Sequence, residues 1–169
     1  MKTYITLLFF AVNLNIFGSN EDSLCMQYHD YQNKANTILK NYPKSDMNGK
    51  VFADAWIKAY KKWGVDIPIE LALAQAQIET GFNNGKFRNN PYNIRPGGSK
   101  YASYNTLYDG VWAYYRLMAK DYLKCKTLTQ LLKKGGFVNC NGHRYASYQY
   151  YEETLVRQMS YYQKLLGID

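Results

Sequence analysis

Of the thirteen acidic residues in the chain, Glu79 is the one whose position suits an acid rather than a solvated charge. It closes a stretch in which Leu71, Ala72, Leu73, Ala74, Ala76 and Ile78 leave no polar face, and Thr80-Gly81 follow it. That pattern predicts a helix over about 68–80, buried on all sides and ended by the glycine. Burial disfavours a carboxylate, and so does the negative end of a helix dipole. Both effects keep Glu79 protonated, which is what a general acid for glycosidic cleavage needs. Glu70, nine residues earlier, lies about 180° away around the helix and cannot share that face.

Eighteen tyrosines are the second chemical signal. A tyrosine offers a flat apolar face with a polar tip, which suits a sugar ring as well as a half-buried helix position. The three cysteines are too few for a disulfide-built miniprotein, and no CxxC or clustered His/Cys spacing predicts zinc. Cys125 and Cys140 flank a short helix near 127–134, and a bridge between them would stabilise the chain by about 3 kcal/mol. Cys25 would then be free, although its pairing with either of the others is also allowed. His29 and His143 read as surface or loop residues. Asp109 precedes a helix-forming stretch and reads as a helix start.

These groups need elements to hold them. Residues 1–19 combine Lys2, an apolar run from Tyr4 to Val12 and a small-residue exit at Gly18-Ser19, the layout of a secretory signal. The run is shorter than the roughly 20 apolar residues of a membrane span, so no stable membrane insertion is expected after signal removal, with an uncleaved signal anchor as the rival reading. Residues 20–169 then form one domain, large enough to bury a core. Apolar spacing predicts helices over about 21–41, 51–63, 68–80 and 107–123, a short one near 127–134, and a last one from Ser147 to Leu166. Between Phe82 and Asn105, Gly, Asn, Pro and Ser dominate, which predicts loops and a small hairpin. The fold class expected is mainly α, with a small loop or hairpin lobe after the buried helix. A net charge of +8 favours acidic partners, and export argues against nucleic acid among them. With 20% charged and 47% hydrophobic residues, the chain is not a disordered tail.

The stretch Ala72-Leu73-Ala74-Gln75-Ala76-Gln77-Ile78-Glu79-Thr80-Gly81 resembles the catalytic helix of the N-acetylglucosaminidase family of peptidoglycan hydrolases, "lAQaalESGwG". Lytic transglycosylases carry a similar Glu-Ser-Gly-Phe-Asn, but their downstream glycine-methionine motif is absent here. Asn89-Asn90-Pro91-Tyr92-Asn93-Ile94-Arg95 is similar to the family's "NNlFGIK". Tyr101-Ala102-Ser103-Tyr104, leading into Leu107-Tyr108-Asp109-Gly110-Val111, is similar to "Y.S..eSi.D". Tyr145-Ala146-Ser147 with Tyr151, Glu153 and Leu155 is similar to "YATD..YaekL". The matches keep their order over about residues 55–160.

The resemblance implies a lysozyme-like helical fold and an exported endo-β-N-acetylglucosaminidase that cuts peptidoglycan strands with no metal or organic cofactor. By residue, it implies Glu79 as general acid, Tyr145 at the cleavage subsite, and Asn90, Tyr92 and Tyr101 in the groove. Tyr148 stands where the family has Asp, and Asn93 replaces a glycine. No Asp or Glu occurs between Thr80 and Tyr108, although glycosidases normally need a second carboxylate, and Asp109 is the nearest candidate for it. The alternatives are help from the substrate's own N-acetyl group, a water held by Tyr145, a wall protein that binds glycan without cutting it, or a lytic transglycosylase.

Overall fold

A computed structural model describes residues 3–82, 89–96 and 100–168, with side chains from Glu21 onward. The elements are α1 (Thr3–Leu39), α2 (Gly49–Trp63), α3 (Ile69–Thr80), α4 (Leu107–Leu117), α5 (Leu128–Leu132) and α6 (Tyr151–Leu166). A π-helical turn, Met118–Tyr122, continues α4. The backbone of α1 runs without a break across the boundary expected at residue 19. Among the described residues no helix is long and apolar enough to cross a membrane.

The helix ends follow their local chemistry. Asn48 caps α2 by accepting from Val51 N, and Gly64 stops it in the left-handed conformation. Thr106 and Asp109 form a reciprocal capping box at the start of α4, so Asp109 is spent on the helix start. Asp66 does not cap α3. Its carboxylate accepts from Trp56 Nε1 at 2.8 Å instead, and Pro68 precedes the helix without a side-chain cap.

Helix α3 is the axis. Every residue from Ile69 to Ala76 is buried, and α3 packs on α1 and α6. The surrounding core is rich in tyrosine whose hydroxyls find internal partners, such as Tyr31 with Ile67 O and Tyr162 with Gln77 Oε1. Much of the tyrosine content is therefore structural. After α3 the chain turns through Gly81 (φ 62°) and then Phe82, whose φ of 60° is unusual for a bulky residue. Phe82 is held there by burial against Tyr42, with ring centroids 4.7 Å apart.

The lobe after α3 corrects the fold expectation. No strand forms among the described residues, and the one isolated β-bridge, Val138 with Arg144, lies elsewhere. Residues 83–88 and 97–99 of the predicted hairpin region lie outside the described residues. In the rest, asparagine side chains occupy the backbone groups that a ladder would use. Asn90 Nδ2 donates to Ile94 O (3.0 Å) and Ala102 O (3.1 Å), while Asn90 Oδ1 accepts from Ile94 N (3.0 Å). Asn89 donates to Tyr104 O and Asn105 O, both at 3.0 Å. Left-handed backbone at Asn89 and Asn93, with Pro91 between them, breaks the extended run. Among the described residues a single backbone bond, Ala102 N to Ile94 O, joins the two pieces. The described architecture is all-helical. The lysozyme-like class, a helical body with a hairpin lobe, does not hold, and the fold lends no support to a glycosidase.

Candidate active site

Glu79 sits at the C-terminal end of α3, where the buried axis meets solvent. It opens into a cleft of about 1260 Å³. One wall is the lobe with Asn93, Arg95 and Tyr101, another is the α4 face with Arg116 and the π turn, and the third is the segment around Tyr145. The tail of α3 is tied to the lobe through Thr80, whose hydroxyl lies 2.9 Å from Ala76 O and 3.2 Å from Pro91 O.

The carboxyl is held from two sides. Tyr151 donates its hydroxyl proton to Oε1 at 3.1 Å, and Asn93 Nδ2 donates to Oε2 at 3.2 Å. The same Asn93 nitrogen lies 2.7 Å from the Glu79 carbonyl oxygen. Asn93 reaches this position with φ 50°, a conformation that asparagine tolerates and glycine favours. Burial pushes the Glu79 carboxyl above its ordinary range, against the opposing effects of Asn93, Tyr151 and the Arg95 charge. Those three favour the ionised form without reversing the direction.

The structure brings together only part of the predicted site. Glu79, Tyr101 and Tyr145 all line the cleft. The Arg95 guanidinium carbon lies over the Tyr101 ring, 3.9 Å from its centroid, and Arg95 donates to the Tyr101 hydroxyl. Tyr145 presents its ring, stacked on Tyr151, while its hydroxyl donates to Tyr92 O at 2.8 Å. Asn90 and Tyr92 lie beneath the cleft rather than in it. Both are buried, Asn90 as the knot of the lobe and Tyr92 stacked on Tyr114 with centroids 3.8 Å apart.

The far wall holds what the sequence left unread. Asp121, in the π turn, is the second carboxyl lining the cleft among the described residues. It follows a helical stretch that reads as continuous α, and nothing in its spacing marks a π turn. Arg116 and Lys120 flank it, so cations outnumber carboxyls around the cleft. Gln75 and Tyr151, which stand behind Glu79, were also missed. A glutamine in an apolar helix gives no sign of its partner until the other helices are placed.

The wall that carries Tyr145 is pinned in three ways. Cys125 and Cys140 are joined by a disulfide, leaving Cys25 free and exposed. Lys126 Nζ donates to Gly136 O and Val138 O at 3.1 and 2.9 Å. Arg144 pairs with buried Glu152 at 3.0 Å, and Glu152 also accepts from Phe137 N at 3.0 Å. Burial raises the Glu152 carboxyl, but these donors outweigh it and leave the group below its ordinary range. No group of three or more His, Cys, Asp or Glu side chains among the described residues is arranged to hold a metal.

No family matches this chain, and no curated protein matches it. The resemblance to glucosaminidases therefore rests on the residues quoted above, and any function must be argued from the cleft.

Proposed function

We propose that the protein hydrolyses the glycan strand of peptidoglycan at N-acetylglucosamine, with Glu79 as the general acid. The observation that carries this reading is the Glu79 carboxyl itself, pushed above its ordinary range by burial at the wall of an open cleft lined by tyrosine rings. A protonated carboxyl can give its proton to the leaving glycosidic oxygen, and the charge that develops on the sugar then needs an anion or a nucleophile nearby. Asp121, the second carboxyl that lines the cleft among the described residues, is the candidate for that place. Tyr101 and Tyr145 offer flat faces to sugar rings.

The reading also places the activity outside the cell membrane. It takes residues 1–19 as an export signal, and the Cys125–Cys140 bridge suits an oxidising compartment. The test is a digest of purified peptidoglycan by the wild type and by Glu79→Gln in parallel, with the released ends read by mass spectrometry. New reducing N-acetylglucosamine ends from the wild type alone are expected. Anhydro ends would identify a lytic transglycosylase, and binding without new ends a glycan-binding wall protein. A fully active Glu79→Gln would overturn the role of Glu79.

A further inference from the structure

Gln75 is fully buried and lies four residues before Glu79, on the same side of α3. A buried amide is costly unless both of its ends are paired. Here both are paired to tyrosine hydroxyls from other helices. Tyr114 of α4 donates to Gln75 Oε1 at 2.6 Å, and Gln75 Nε2 donates to the Tyr151 hydroxyl oxygen of α6 at 3.1 Å. Tyr151 in turn donates to Glu79 Oε1 at 3.1 Å. The direction is set at every step. An amide oxygen only accepts, so Tyr114 must donate to it. The amide nitrogen only donates, so it occupies the Tyr151 oxygen and leaves that hydroxyl's proton for the carboxyl.

We propose that Gln75 is a positioning residue, which holds the Tyr151 hydroxyl as a donor to Glu79 and thereby sets the acidity of that carboxyl. The inference rests on the reading of Glu79 as the acid of the cleft. A donor aimed at a carboxyl favours its ionised form, which opposes burial. The chain thus keeps Glu79 from becoming too weak an acid to release its proton to a leaving group. Among the described residues, Arg95 from the lobe, Tyr145 from the segment before α6 and Tyr151 from α6 interact with Glu79, with neutral Asn93 at Oε2, while Arg116, Lys120 and Asp121 line the same cleft from α4 and the π turn. Burial holds both phenols far above neutrality, so neither changes charge in the working range. Arg95 acts by charge. The Gln75–Tyr151 chain acts through a single hydroxyl and can be removed without changing the charge of the site.

The test is a ¹³C NMR titration of the glutamate carboxyl carbons in the full chain, with the Glu79 signal assigned by its loss in Glu79→Gln. Tyr151→Phe keeps the ring and is expected to raise the midpoint by roughly one pH unit, the worth of a hydrogen bond to a charged group. Gln75→Leu should move it in the same direction by less. The double variant should match Tyr151→Phe alone, because both changes act through one bond. If Gln75→Leu does not fold, Gln75→Met takes its place. In a glycan-cutting protein the alkaline limit of kcat should move with the midpoint while KM stays fixed. An unchanged midpoint in Tyr151→Phe overturns the proposal, and so does a shift there with none in the Gln75 variants. Should the chain cut no glycan, the titration still decides. A midpoint that moves as described would then support the positioning role while the glycosidase reading fails.

Discussion

Replacing Gly110 by alanine puts two known effects in opposition, and their sizes decide the sign. In a helix interior the change is ordinarily favourable by about 1 kcal/mol. At Gly110, however, a methyl group would sit 1.8 Å from Asn89 O, 3.0 Å from Asn89 C and 3.2 Å from Pro91 Cδ. An ordinary carbon–oxygen contact is roughly 3.3 Å, so the lobe must retreat from α4 by about 1.5 Å. Asn89 cannot yield easily, because its left-handed backbone and its bonds to Tyr104 O and Asn105 O fix it. Losing those two bonds costs about 2 kcal/mol. The overpacking adds about 1–3 kcal/mol. With the helix gain deducted, the net cost is about 3 kcal/mol, or roughly 6–12 °C in Tm for a domain of this size. Gly64→Ala is the control. Unlike Gly110 it has a positive φ, 65°, but nothing lies within 4 Å of an added methyl, so it should cost only about 1–2 kcal/mol. Thermal unfolding followed by circular dichroism compares the two. If Gly110→Ala is no more costly than Gly64→Ala, the close packing of the lobe on α4 is wrong.

Two further outcomes are expected. The folded state favours a protonated Glu79, because its carboxyl is raised. That contribution is therefore present at acid pH and is lost as pH rises through the folded pKa. Glu79→Gln should accordingly be more stable than the wild type in urea at neutral pH, with the advantage vanishing at about pH 3, below the ordinary carboxyl range; an equal advantage at both would contradict it. Replacing Cys125 and Cys140 together by serine should cost about 3 kcal/mol for a loop of this length, and a Tm unchanged by the replacement would show that the bridge does not tie down the wall that carries Tyr145.

The parts of this molecule that depend on nearest neighbours were readable in the chain. Gly64 and Gly81 end their helices where the apolar stripes stop, and Asp109 starts α4. The burial of α3 followed from its leucines and alanines, and with it the unusual setting of Glu79. What failed depends on partners far along the sequence. The hairpin reading missed that Asn90 would bond to backbone on both of its sides. The last helix begins at Tyr151 rather than at Ser147, after a turn that carries Tyr145 to the cleft. Tyr92 was placed in the groove by its motif, yet packing on Tyr114 takes it into the core. Gln75 gave no signal because its worth lies in hydroxyls 39 and 76 residues away.

The cleft is assembled from two kinds of support, and this bears on how such a chain can change. Glu79 grows out of the most enclosed helix of the molecule, where a substitution disturbs α1 and α6 together. The wall behind Tyr145 hangs instead on a disulfide, a lysine shared by two carbonyls and one ion pair. Leu131 and Phe137 root that wall in the core, so it is the exposed residues between the pins that can be recharged while the axis stays as it is. Divergent copies of this chain would then keep Glu79 on its buried axis and differ in the shape and charge of the cleft beside it.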